Sequence, residues 1–444
     1  MIRPRAWRRY QLRHRPLPAR TAGAGNLKIV GSYWLLFAYC IAASLLVRWI
    51  APPLPAVVWL SFSGVILAAI LISWGAEAAQ FAVSQGLAIA IIALLQVVPE
   101  FMVEATIAWH REVDLMMANL TGSNRLLMGV GWALVFFTAD IYNRIKTGRG
   151  IAYIELRRET TIEVLVLMLS SGYFFFILAH GELDILDSLV LATIFAVYML
   201  LLQRMPEEEP EKKQDLIAMS RYLATLPRRR EQFYKLAGIF LIGGATMWAM
   251  SEPFLLSMKS VALVMGVGAF VFVQWCAPFL SEFPEKVTAF YWARNVRLAP
   301  MALLNLISSK VNQWTLLVAM IPLAYSVSLG HWQAIPLDAP HRQEIFLSLM
   351  MTLYGGATLL KLRLTRWNAA TLFGLWLVQF IFPNQLPLLG DATWNNTRLL
   401  TAYVFGVLIV VEFIRHRHEI HLMENLRGVA ASMQSRRATL IDNA

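Results

Sequence analysis

Two pairs of carboxylates interrupt long apolar runs: Glu100 and Glu104 in LLQVVPEFMVEATIAW, and Glu282 and Glu285 in APFLSEFPEKVTAFYWA. On a helix each pair is one turn apart and shares a face. A charged side chain at the middle of a bilayer costs about 2.5–3.5 kcal/mol on insertion scales, so it persists where it faces a cavity, an ion or a counter-charge. Glu100 and Glu285 each follow a proline, Pro99 and Pro284. Proline withholds an N–H and frees the carbonyl one turn back, a ready ligand for a cation. One such pair reads equally well as a kinked helix with a neutral, hydrogen-bonded glutamate. Two copies favour a cation site, and carboxylates a turn apart suit proton coupling.

The elements that must position these residues are membrane helices. Of 444 residues 58% are hydrophobic and only 15% charged, which excludes a soluble enzyme or a secreted module. Apolar stretches fall at 30–50, 56–79, 84–108, 116–139, 161–180, 184–204, 235–257, 260–290, 300–327, 344–361, 367–383 and 397–414. Most are long enough to cross a hydrocarbon core of about 30 Å. The expectation is an all-α polytopic membrane protein of about 12 spans. Alternating sides along these spans places 31 of the 39 Lys and Arg on the face that carries both termini. By the positive-inside rule that face is cytoplasmic, so the expected location is the cell membrane. The charge of +11 is then topology and attraction to anionic lipid headgroups, and no nucleic-acid partner is implied.

The expected organisation is a basic cytoplasmic segment at 1–29, an additional helix at 30–50, a first half at 56–204 and a hydrophilic linker at 205–234. A second half at 235–383, a further helix at 397–414 and a cytoplasmic tail at 415–444 follow. The apolar run after the basic opening is too long for a signal peptide's core. Cys40 and Cys276 lie in apolar runs and read as packing residues. His416, His418 and His421 stand beside arginines, which favours a solvated helix over a metal site. The chain has no phosphate-cradling glycine loop, nucleophile elbow or HExxH, so it is not expected to be an enzyme.

The polar interruptions recur in the same order in both halves. Trp74-Gly75-Ala76-Glu77, Pro99-Glu100 and ANLTGSNRLL are followed, in the second half, by Met250-Ser251-Glu252, Pro284-Glu285 and LNLISSKVNQW. The third and eighth spans run in opposite directions under the charge assignment, which makes the two copies an inverted repeat. Glu77 and Glu252 hold matching places and read equally as entry-path or interface residues.

At these residues the chain resembles the calcium/cation antiporter superfamily, the sodium/calcium exchanger membrane region. That family's repeat reads roughly G-A-E, then G-T-S-x-P-E, then G-N-x-x-G-S-N. The first copy here gives Gly75-Ala76-Glu77, Pro99-Glu100 and Asn119-Leu-Thr-Gly-Ser-Asn124; the second gives Glu252, Pro284-Glu285 and Asn305-Leu-Ile-Ser-Ser309. AHGELDILDSLVLATIFAVYMLL and LRLTRWNAATLFGLWLVQFIF are similar to two further hairpins of the family. The resemblance implies a ten-helix core with one additional helix at each end, working by alternating access. Glu100 and Glu285 look like its central ion-binding, metal-ligating carboxylates, and Ser123 and Ser309 match its serines. Gln96-Val97 and Ser281-Glu282 stand where the family has Thr-Ser, and its further Asn or Asp aligns with Leu127 and with Asn312 or Gln313.

The expected cation-binding set is therefore Glu100, Glu285, Glu104, Glu282, Ser123, Ser309, Gln96, Ser281, Asn124 and Gln313. Arg125, Lys286 and Lys310 are the charge-compensating groups, unless the lysines snorkel to the interface. With all seven charged groups ionised the cavity carries a net charge of about −1, counted from the sequence. The expected function is secondary cation antiport of calcium or a monovalent cation against sodium or protons. No cofactor is implied; calcium, sodium, potassium or the proton would be cargo, and the partners are inorganic cations and membrane lipids. The alternative is a diverged, non-transporting scaffold or ion sensor, which an ammonium group lodged between Glu100 and Glu285 would favour.

Overall fold

The computed structural model describes residues 22–50, 52–79, 81, 85–205, 216–383 and 396–442, without the side chains of 22–30, 32, 85–96 and 435–442. The basic opening and the acidic part of the central linker lie outside the described residues. The first half contains α1 (Ala22–Leu45), α2 (Leu54–Ala79) and α3 (Gln85–Trp109). It continues with α4 (Val113–Leu126), which passes through a π-helical segment, Leu127–Trp132, into α5 (Ala133–Thr147), and then α6 (Thr161–His180) and α7 (Ile185–Arg204).

A short helix, α8 (Ala218–Ala224), precedes the second half, α9 (Arg229–Val264), α10 (Ala269–Ser281) and α11 (Phe283–Ala293). Then α12 (Ala299–Asn312) passes through a π-helical segment, Gln313–Leu317, into α13 (Val318–Leu329), followed by α14 (Ala339–Leu359) and α15 (Arg366–Ile381). Outside both halves lie α16 (Thr397–His416) and α17 (Leu422–Asp442). Every apolar stretch of the sequence carries helix. Among the described residues, seven helical stretches are, by length and composition, long and apolar enough to cross a membrane.

The two halves repeat in detail. Each has a helix with a π-helical interruption, α4–α5 and α12–α13, after the Pro-Glu segment. They differ at the Pro-Glu segments themselves. Pro99 sits inside the continuous α3, whereas the second copy breaks at Glu282 and restarts with Pro284 in the first turn of α11. Proline suits a first turn because its missing N–H has no helical partner there. The break also places Glu285 near the positive end of a helix dipole.

Cross-half packing builds the core: α2 lies along α9, α4 along α10, and α3 meets α12. The closest approach is at Gly122, where an added Cβ would strike the backbone carbonyl of Gln274. Two short strand pairs tie off the ends. Tyr153–Glu155 pairs antiparallel with Arg363–Thr365, and Glu182–Leu183 with Ile335–Pro336. The first pair, with Arg363–Glu419 at 3.9 Å and Arg158–Glu424 at 3.8 Å, gathers the 148–160 loop, the 360–365 loop and the tail at one end. The charge-based assignment put those same segments on a common face.

Candidate cation site

Glu100 projects from the middle of α3, and Glu282 and Glu285 from the α10–α11 break, into a shared cavity of about 20 Å³ that Ser73, Val97, Ser281, Thr288 and Asn305 also line. That is room for a water or a dehydrated cation. Ser123 of α4 places its hydroxyl between Glu100 Oε1 and Glu282 Oε1. Gln313, at the start of the second π-helical segment, directs its amide nitrogen to Glu100 Oε2 at 3.0 Å, Ser123 Oγ at 2.8 Å and Glu282 Oε1 at 3.0 Å. Glu285 accepts from Ser309 at 3.1 Å and from Asn305 at 3.5 Å. Three of the four expected carboxylates thus meet, each with hydroxyl or amide partners. Glu104 is set apart one turn along α3, where Asn119 donates to it, and it does not line the cavity.

The remaining expected residues divide. Ser281 lines the cavity while donating to the Ala277 carbonyl at 3.0 Å. Asn124 turns its amide to the Leu120 carbonyl at 2.7 Å and leaves its buried Oδ1 without a donor. The side chain of Gln96 lies outside the described residues. Of the two candidates at the family's Asn or Asp position, Gln313 bonds to the carboxylates Glu100 and Glu282.

The charges are arranged differently from their sequence neighbourhood. Lys286 pairs with Glu282 at 2.5 Å, the i,i+4 contact its spacing allows. Lys310 is fully buried and does not snorkel: its ammonium donates to the Asn124 carbonyl at 2.7 Å and sits 5.2 Å from the centre of the Trp314 ring. Arg125 faces away from the cavity. It binds Glu344 at 2.5 Å and Gln379 at 3.1 Å, and Glu344 also meets Arg398 at 2.5 Å. The cause is Glu344 itself, a buried carboxylate 219 residues further along the chain that needs a partner. No ammonium group is hydrogen-bonded to Glu100 or Glu285 among the described residues, and the charge near the cavity stays at about −1, because Arg125 and Glu104 are both taken elsewhere.

Sequence reasoning missed Glu344, Arg398 and Gln274, which donates to Glu344 at 3.0 Å. A lone glutamate at an apolar boundary was the only signal. Glu77 and Glu252 separate: Glu77 is buried and accepts from the cavity residue Thr288 at 2.8 Å, while Glu252 is half exposed beside His110 at 3.4 Å. Glu252 lines a different cleft of about 510 Å³, with Arg48, Thr106, Trp109 and Trp248.

The sequence pattern of the sodium/calcium exchanger protein family matches residues 27–203 and 235–383. The chain belongs to the sodium/calcium exchanger family. Among solved structures this exchanger is similar to the crystal structure of the H+/Ca2+ exchanger CAX, at 31% identity and a TM-score of 0.80, over 92% of this chain and 99% of that one. It also shares a fold with native YfkE, at 14% identity and a TM-score of 0.54, over 79% of this chain and 98% of the other. No curated protein matches the sequence. The exchanger is therefore an all-α integral membrane protein and a transporter rather than an enzyme, with cations as cargo instead of a cofactor.

Proposed function

We propose that this exchanger moves a divalent cation, calcium in the first place, against protons, and that the two compete for Glu100, Glu282 and Glu285. The observation that carries the reading is the meeting of those carboxylates, from repeat-related segments, at one small cavity. The likeness to CAX, an H+/Ca2+ exchanger, supports the choice of ions. Proton counting supports it as well. The Ser123 hydroxyl owns one hydrogen but contacts oxygens of two carboxylates. Both contacts are hydrogen bonds only when one carboxyl brings its own proton, so the arrangement of donors is one that can hold a proton between the carboxylates. A cation entering the cavity would displace that proton, since neither can be held fully while the other is.

With both termini in the cytoplasm, Ser73 lies toward the cytoplasmic end of α2, and in this reading the cavity is approached from that side. The tight α4–α10 contact at Gly122 closes the opposite side. The cleft at Glu252 is then the outer approach, reached when α2 and α9 shift against the rest of the core. Lys286 on Glu282 tempers the affinity so that the cation can leave, and this tempering is what favours a second reading, exchange of a monovalent cation for protons.

The test is transport in proteoliposomes carrying a pH gradient, with calcium, sodium or potassium offered in turn. Calcium movement opposed to proton movement is expected, and Glu100→Gln and Glu285→Gln should each reduce it to the level of empty liposomes. Unchanged exchange in both variants removes the site assignment. Sodium or potassium movement without calcium replaces the cargo, and the absence of any flux through well-folded protein supports the scaffold alternative.

A further inference from the structure

A second site lies at the end of the bundle where the strand pair Tyr153–Glu155 and Arg363–Thr365 closes the loops, and it shares no lining residue with the cation cavity. It is a cleft of about 660 Å³ bounded by the end of α5, the start of α15 and the end of α16, and Arg144, Lys361, Arg366 and Arg415 all line it. Two carboxylates offset part of this charge. Asp140 bridges Arg144 at 3.0 Å and Arg366 at 2.9 Å, and Glu412 binds Lys361. Two guanidinium groups on one aspartate leave a surplus, and Arg415 has neither ion pair nor hydrogen bond among the described residues. The cleft therefore holds about two positive charges in excess, presented as guanidinium forks that match the oxygens of a phosphate.

The surroundings say where that phosphate comes from. Trp367 stands at the mouth with 80% of its surface exposed. Along α16, Val407, Val411 and Ile414 are exposed at the spacing of one helix face, and that face runs directly into Arg415. An apolar track ending in a basic cleft beside an interfacial tryptophan suits a molecule with an acyl chain and an anionic head; a soluble anion has no use for the track. We propose that this cleft binds the phosphate headgroup of an anionic diacyl lipid, with its chains lying along α16. Glu412, Arg415 and His416 of the cleft are supplied by the helix that follows the family-matched residues. The proposal is independent of which ions the exchanger moves.

The experiment is native mass spectrometry of the full chain, released from neutral detergent in the presence of dioleoyl phosphatidylglycerol, dioleoyl phosphatidylcholine or inorganic phosphate. Wild type should retain one phosphatidylglycerol in preference to phosphatidylcholine, and millimolar phosphate should not displace it. Arg415→Gln should lower retention about fivefold, the effect of one basic group near an anionic headgroup. Arg417→Gln, an exposed arginine on the same segment that does not line the cleft, should leave it unchanged. Equal retention of the two lipids by wild type overturns the proposal without recourse to any variant. Equal loss in both arginine variants overturns the assignment to this cleft, and displacement by phosphate alone overturns the lipid as occupant.

Discussion

At the residue scale the cavity depends on few donors serving many acceptors. Ser123 and Gln313 between them hold Glu100 and Glu282 together. Ser123→Ala removes the hydroxyl that bridges them. A hydrogen bond to a charged group contributes about 1.5 kcal/mol or more, so the proton-driven exchange rate should fall roughly tenfold, with a changed pH profile. An unaltered profile would mean the hydroxyl plays no part in proton handling. Lys286 acts in the opposite sense. Lys286→Gln leaves Glu282 beside two other carboxylates with no ammonium partner, so calcium should bind about tenfold more tightly. The same variant should melt lower without calcium and recover when calcium is added, because a buried charge without a partner is destabilising. Titration of the melting temperature with calcium reads both effects together.

At the element scale the two repeats have the same plan but different rigidity. The first Pro-Glu segment is one unbroken helix, and the second is two helices meeting at Glu282, so the second copy is the natural place for the cavity to adjust. The α4–α10 contact is its fixed counterpart. Gly122→Ala drives a Cβ onto the Gln274 backbone, which no rotamer change relieves, and should cost about 1–3 kcal/mol together with loss of exchange. Gly244, inside α9, has nothing within 4 Å of an added Cβ. Gly244→Ala should therefore stabilise by about 0.5–1 kcal/mol through helix propensity. Thermal melting in detergent compares the two, and equal effects would show that the tight approach at Gly122 does not govern stability.

At the scale of the whole molecule, the Arg125–Glu344–Arg398 network joins α4, which carries Ser123, to α14 and to α16. Its centre is Glu344. Glu344→Gln leaves Arg125 and Arg398 facing each other without a carboxylate and should cost about 3–5 kcal/mol. Arg398→Gln should cost less, since Arg125 keeps its partner. A double variant, Arg125→Met with Glu344→Gln, should recover part of the loss, and the absence of recovery in melting experiments would refute the pairing as the cause. The network ties the additional C-terminal helix to the core within one turn of the proposed cation site, so that helix is part of the exchanger's frame.

The sequence by itself determined that this chain lives in a membrane, that its polar interruptions repeat, and that Glu100 and Glu285 belong together. Apolar run length, proline chemistry and the penalty for a carboxylate in hydrocarbon are local properties, legible residue by residue. Tertiary structure decided which charges face the cavity. Arg125 follows Ser123 and Asn124 in the chain yet turns to Glu344, and Lys310 sits beside Ser309 yet reaches the Asn124 carbonyl. Glu104 shares a helix face with Glu100 but is held by Asn119 outside the cavity. Buried charges choose partners by proximity in three dimensions, and for these residues the partners lie on helices tens to hundreds of positions away, where no spacing rule along the chain can identify them.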